Sequence, residues 1–188
     1  MDFKNYKFLI FSDLHRYTNP NIKSFFKNLI FNPGFKYTFW MRTTKFMRSK
    51  KILFPFYIFC RIILKHLEYK YGISIPYNTD IGYGFYIGHF GNIVVSPYAK
   101  IGNNCNINHG VTIGAAYGGK FPGIPIIGDK VYLGPGAKII GGITIGNNVA
   151  IGANCVVTKP IPDNAVVVGV PGKIISYKGS SHYIIRTV

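Results

Sequence analysis

The segment Ile127–Val157, IGDKVYLGPGAKIIGGITIGNNVAIGANCVV, places an aliphatic residue at every sixth position: Ile127, Leu133, Ile139, Ile145, Ile151 and Val157. The same spacing runs upstream through Ile101, Ile107 and Ile113, before an interruption from Gly114 to Ile126. Two extra residues separate that run from an earlier one at Ile75, Ile81, Ile87 and Ile93. Gly follows the aliphatic residue at Ile81, Ile87, Ile101, Ile113, Ile127, Leu133, Ile145 and Ile151. A helix repeats every 3.6 residues and a strand every 2, so neither alone produces this pattern. A coil with three flat faces does. Each hexad supplies one short strand and one corner, the aliphatic side chain stacks inward, and Gly relieves the corner. Thirteen such hexads make about four coils, enough to bury a continuous core. The fourth position after the aliphatic residue is small or narrow (Gly91, Cys105, Ala137, Val149, Cys155). Cys105 and Cys155 are therefore expected to be core packing.

The composition divides near Gly72. Residues 1–72 hold 14 of the 22 Lys and Arg, 3 of the 6 Asp and Glu and 19 of the 30 aromatics, but 2 of the 22 Gly. That gives +11 upstream (14 − 3) and +5 downstream (8 − 3). Ile52, Phe56, Phe59, Ile63 and Leu67 fall at helical spacing and predict a helix with that face inward. Asn32-Pro33-Gly34 breaks the chain before a second predicted helix over about 35–49, and Asn19-Pro20 is a further break. The expected organisation is a basic, aromatic helical cap over 1–72, a hexad domain over 73–175 with an extruded loop at 114–126, and a tail over 176–188. The cap is expected to cover the edge of the first coil, which would otherwise invite strand pairing. The longest apolar run, Ile52–Cys60, is broken by Pro55 and is short of the roughly 20 residues of a membrane span. Phe8–Phe11 is too short for a signal peptide, so a cytoplasmic protein is expected. Three Cys in no CxxC or His-spaced pattern argue against a disulfide framework or a metal site. No nucleic-acid motif accompanies the basic charge, and no phosphate-loop fingerprint accompanies the glycines.

Register sorts the five histidines. His89 and His109 each stand two residues after an aliphatic position, three hexads apart, so they share a lane one coil apart. The lane continues through Pro135, beside Gly134, and Ala153, beside Gly152. Histidine is the usual base for activating an alcohol near neutral pH, and small residues further along leave room for an extended ligand. The loop at 114–126, GAAYGGKFPGIPI, begins one hexad after His109; it is expected to arch over the same groove and offer backbone N–H groups to an oxyanion. Lys159 and Lys173, beyond the last hexads, are placed to meet an anionic nucleotide. His15, His66 and His182 have no such partners.

The hexads resemble those of the hexapeptide-repeat acyltransferases. The resemblance implies a mainly β fold, a left-handed parallel β-helix of about four coils with an N-terminal α-helical cap, assembled as a homotrimer. It also implies acetyl-CoA as co-substrate, without a metal. The tail from Val156 to Lys173 is similar to that family's coenzyme-binding end, which carries cofactor-binding roles to Thr158, Lys159 and Lys173, to Gly134, Pro135 and Ala153 along the pantetheine arm, and to Gly114 and Ala115 near the thioester. "PGF" at Pro33–Phe35, "YKYGISIP", "IGHFGNIVV" and "NHGVTIG" align in order with the serine acetyltransferase-like subgroup, whose catalytic His falls on His89; His109 is the second catalytic candidate.

Three subgroup features are replaced. The Asp paired with the catalytic His falls at Ser74, the Asp before that His at Gly88, and the substrate-binding His near Ile124. The second and third are groups that grip an amino acid. Their loss resembles sugar O-acetyltransferases, and Tyr83, Phe85, Tyr86 and Phe90 offer a stacking surface. The expected activity is therefore acetyl-CoA-dependent O-acetylation of a sugar or glycan-precursor hydroxyl in capsule, exopolysaccharide or lipopolysaccharide biosynthesis. The alternative is serine O-acetylation. The second alternative is a non-catalytic β-helix whose basic segment contacts an anionic membrane from its inner face.

Overall fold

A computed structural model describes the backbone of residues 1–188 and every side chain except that of Lys51. Four helices precede the hexads: α1 (Phe3–His15), α2 (Ile22–Phe31), α3 (Pro33–Arg48) and α4 (Phe54–Tyr71). Asp2 caps α1 by accepting from Asn5 N, Asn21 and Ser24 form a capping box on α2, and Asn32 caps α3 by accepting from Phe35 N. The predicted break at Asn32-Pro33-Gly34 thus starts α3 itself, with Pro33 in the first turn, where its missing N–H costs nothing. Gly72, at φ +60°, ends α4.

From Ile73 onward the chain winds as a three-faced left-handed parallel β-helix. One face stacks Ile73–Ser74, Ile93–Val95, Thr112–Gly114, Lys138–Ile140 and Val156–Val157. A second stacks Asp80–Ile81, Lys100–Ile101, Ile126–Ile127 and Thr144–Ile145, with Ile161 bridging to Ile145. The third stacks Tyr86–Ile87, Asn106–Ile107, Tyr132–Leu133, Ala150–Ile151 and Val166–Val168, closed by antiparallel Lys173–Ser176. The winding continues through Ile161 and Val167, so the prism is nearly one coil longer than the expected four. Each predicted aliphatic position is buried, as are Cys105, Ala137, Val149 and Cys155. Burial pushes the Cys105 thiol up to about 12 and raises that of Cys155, as expected of packing groups.

The glycines divide into two kinds. Those after the aliphatic residue are needed because successive coils approach closely: a Cβ on Gly134 would lie 2.7 Å from the Ile151 carbonyl oxygen. The corner itself turns two residues later. There Gly84, Asn104, Lys130, Asn148 and Asn164 form one lane of left-handed residues, and Gly110, Gly136 and Asn154 another.

The helices seal the first coil with polar side chains. Tyr37 Oη donates to Ile75 O (2.9 Å) and accepts from Ile75 N (3.2 Å). Arg42 donates to the carbonyls of Ile81 and Gly82. Ser12 Oγ and Asp13 Oδ1 accept from Gly84 N and Phe85 N, and Arg16 donates to Gly84 O. Tyr17 Oη donates to Ile87 O (3.1 Å) and accepts from Ile87 N (3.0 Å). Arg42 and Asp13 pair at 3.0 Å with both side chains buried. Burial pushes the Asp13 carboxyl up, against the pull of Arg42 and the Phe85 amide. Burial also raises both tyrosine phenols, which stay protonated and able to donate.

One helix face differs from expectation. α4 buries Cys60, Leu64, Leu67 and Tyr71, and Ile63 packs half-buried against the same core, so Ile63 and Leu67 of the expected face do point inward, while Phe56 and Phe59, and Ile52 before the helix, are exposed. Two apolar rows run along this helix, and α3 and the first coil cover only one of them.

Arg42→Ala leaves Asp13 buried without its countercharge, with only the Phe85 amide still donating to it, and takes the donor from the carbonyls of Ile81 and Gly82. It is expected to cost about 3–5 kcal/mol in urea-induced unfolding, against less than about 0.5 kcal/mol for exposed Lys50→Ala.

Candidate active site

The strand register proves the histidine lane. Ile87 pairs with Ile107, Ile107 with Leu133 and Leu133 with Ile151. Two residues beyond each pairing stand His89, His109, Pro135 and Ala153, on the corner leading from the third face to the first. The two imidazoles are exposed, with ring centroids 5.9 Å apart and planes at 75°. An exposed edge-to-face pair leaves ring nitrogens free to exchange a proton with a substrate hydroxyl. Tyr17 fixes the backbone two residues before His89, and the Tyr71 ring lies 5.4 Å from that of Phe90.

The replaced positions have local explanations. Ser74 Oγ donates to Glu68 Oε1 at 3.0 Å, so α4 delivers a carboxylate to the strand position where the subgroup carries Asp. A Cβ on Gly88 would stand 2.6 Å from Asn108 Oδ1, and Asn108, buried, donates from Nδ2 to Leu133 O. The amide of Asn108 therefore occupies the space that an Asp at position 88 would need. Ile124 packs half-buried against the core.

Two further residues of this corner escaped the sequence reading. Asn108 is one. The other is Lys138, whose Nζ donates to Gly110 O (2.5 Å) and Thr112 Oγ1 (3.1 Å) and so braces the turn that carries His109. The available signal was register, since Lys138 pairs with Thr112 one coil away.

The residues expected to bind cofactor fall into two groups. Pro135 and Ala153 line a cavity of about 290 Å³ with Tyr132, Gly152 and Val168; Gly134 is adjacent in the chain, and Lys173 pairs with Val168. Thr158 and Lys159 line another cavity, of about 280 Å³, with Gly118, Lys120 and Phe121 of the extruded loop and with Ile140. Gly114 ends the strand before that loop, paired with Ile140, and Ala115 follows it. The loop closes on itself through Ala116 and Gly123, and Gly142 N donates to Phe121 O. It therefore stands at the far edge of the first face from the histidines, and does not arch over their corner within one chain. The cause is that the loop leaves the coil after the strand Thr112–Gly114, whereas His109 precedes it. Among the described residues no three His, Cys, Asp or Glu side chains are placed to share a metal ion.

Residues 124–159 match the family model described as bacterial transferase hexapeptide (six repeats). The serine acetyltransferase of Helicobacter pylori (strain J99) is 32% identical over 160 residues, covering 84% of this chain and 90% of that protein. The chain belongs to the serine acetyltransferase family. The serine acetyltransferase of Mycobacterium tuberculosis is 45% identical over 106 residues, covering 55% of this chain; the chain spans about half, 45%, of that relative's length. The crystal structure of serine acetyltransferase in complex with coenzyme A from Brucella abortus strain S19 superposes with a TM-score of 0.78 at 26% identity, covering 94% of this chain and 70% of that one.

These family members overturn the glycan reading. That reading rested on Ser74, Gly88 and position 124, three departures on the acceptor side, and the relatives are named for serine. At two of the departures a side chain from elsewhere in the fold lies close by: Glu68 accepts from Ser74, and Asn108 abuts Gly88.

For the coenzyme contacts expected from the sequence, Lys159→Ala and Lys173→Ala are each expected to raise the KM for acetyl-CoA about three- to tenfold with kcat little changed, as for removal of a charge contact to a phosphate. Steady-state thiol release would measure both constants.

Proposed function

We propose that the chain transfers the acetyl group of acetyl-CoA to the side-chain hydroxyl of L-serine. The observation that carries this reading is the lane itself, with an exposed His89–His109 pair at one end and small residues at the other, in a chain of the serine acetyltransferase family. His89 accepts the serine hydroxyl proton as the oxygen attacks the thioester carbonyl. Backbone amides at Gly114–Ala115 steady the oxyanion. The tetrahedral intermediate collapses, the C–S bond breaks, and the coenzyme thiolate leaves and takes the proton from His89. Thr158, Lys159 and Lys173 hold the nucleotide end of the coenzyme.

The working unit is a homotrimer. Within one chain the histidine corner and the loop groove lie at opposite edges of one face, so neither alone surrounds an acetyl-CoA. Three prisms packed side by side about a threefold axis bring the loop groove of one protomer to the histidine corner of the next.

Thiol release with acetyl-CoA and L-serine is the direct test. His89→Ala is expected to lower kcat/KM about 10²–10⁴-fold, and His109→Ala less. Absence of serine-dependent thiol release by the wild-type chain would overturn the reading. The shared site has its own test. His89→Ala and Thr158→Trp damage opposite edges, so refolding the two inactive variants together is expected to restore about a quarter of wild-type turnover. Sites built within single chains would restore none.

A further inference from the structure

None of the residues of α2 is buried, and its outer side is exposed from Ile22 to Phe31. Phe25 and Leu29 hold it against the Phe35 cluster. On its outer side Ile22, Phe26 and Ile30, four residues apart, are 79%, 55% and 58% exposed. Lys23 and Lys27 stand one position further along the same helix, both exposed. Phe11 of α1 joins Ile22 and Phe26 in lining an almost wholly apolar cavity of about 200 Å³ between the two helices, with Lys7 also at its lining.

The charge around this face is one-sided. Of the three acidic residues in 1–72, Asp13 is buried against Arg42, Glu68 pairs with Lys65, and Asp2 caps the start of α1. α2 carries no acidic residue. A second copy of this chain seated on the row would bring Lys23 and Lys27 against like charge. An anionic lipid surface suits both features, since apolar side chains enter the headgroup boundary and lysines meet the phosphates. Among the described residues no helix is long and apolar enough to cross a membrane, so contact would lie in the surface plane.

We propose that α2 and the adjoining part of α1 dock on an anionic lipid surface, with Phe11, Ile22, Phe26 and Ile30 inserted and Lys7, Lys23 and Lys27 at the headgroups. The inference stands whether or not serine is the acceptor. The test is co-sedimentation of the full chain with vesicles of phosphatidylcholine alone and of phosphatidylcholine with phosphatidylglycerol in equal parts. Binding is expected to the anionic vesicles and to weaken at high salt. Each basic side chain near such a surface is worth about fivefold in partitioning, so Lys23→Glu with Lys27→Glu is expected to lose at least about 20-fold. Phe26→Asp with Ile30→Asp is expected to lose binding to the same degree or more. Both pairs should keep the wild-type melting temperature and thiol release. Failure of the wild-type chain to sediment with anionic vesicles would overturn the proposal, as would undiminished binding by both variants. A drop in particle mass on Phe26→Asp in the absence of vesicles would also overturn it, by assigning the row to a second copy.

Discussion

A parallel β-helix has an unavoidable weakness at its first coil, where every strand offers backbone N–H and C=O groups to a neighbour that the repeat does not supply. In this chain the neighbour is a set of side chains. Tyr37, Arg42, Ser12, Asp13, Arg16 and Tyr17 reach down from α1, the turn after it, and α3 to take the place of a preceding coil. Each tyrosine hydroxyl both donates to and accepts from one coil residue, as a neighbouring peptide would. The Arg42–Asp13 pair is the centre of this arrangement. Moving two charges out of water is unfavourable unless their remaining hydrogen-bonding groups are also satisfied. Here the coil carbonyls of Ile81 and Gly82 and the amide of Phe85 satisfy them. The sealed edge and the buried ion pair are therefore each a condition for the other.

The opposite end and one flank are closed differently. Lys173–Ser176 turns back antiparallel on the last coil, and the tail then returns along the prism. Tyr183 stacks on Tyr132 with ring centroids 4.5 Å apart, Asn106 Nδ2 donates to Tyr183 O, and Arg16 Nε donates to Ile185 O. The tail and the helical cap thus meet through Arg16, which ties both to the third face. That face leads into the corner carrying the histidines.

Much of this was legible in the sequence because period six has one structural meaning at this length. The aliphatic positions, the narrow positions and the lane of His89, His109, Pro135 and Ala153 all follow from counting. The glycine rule was half legible: sequence shows that Gly follows Ile, but close coil spacing, and not a positive φ, explains most of those glycines. The buried face of α4 was not legible. Its apolar residues run around most of the helix, so periodicity alone does not choose the row that meets α3. The acceptor was misread for a related reason. An aligned position shows which side chain is gone, while what fills its place comes from distant segments. Glu68 reaches Ser74 across the end of α4, and Asn108 reaches Gly88 from the next coil. Neither contact has a signature in local spacing.

The cap does more than close an edge, because its last contact lies two residues from His89. Tyr17 holds both backbone groups of Ile87, Gly34 lies so close to the Ile87 carbonyl that a larger residue there would meet it, and Tyr71 packs beside Phe90. A base that must take a proton from a weak nucleophile depends on its placement as much as on its basicity. In the interior coils that placement comes from the coil above. At the first coil no such coil exists, and the helices supply it. His89, the proposed base, therefore sits on the one coil whose geometry the repeat cannot set by itself, which makes the helical segment part of the proposed site's architecture as well as its cover.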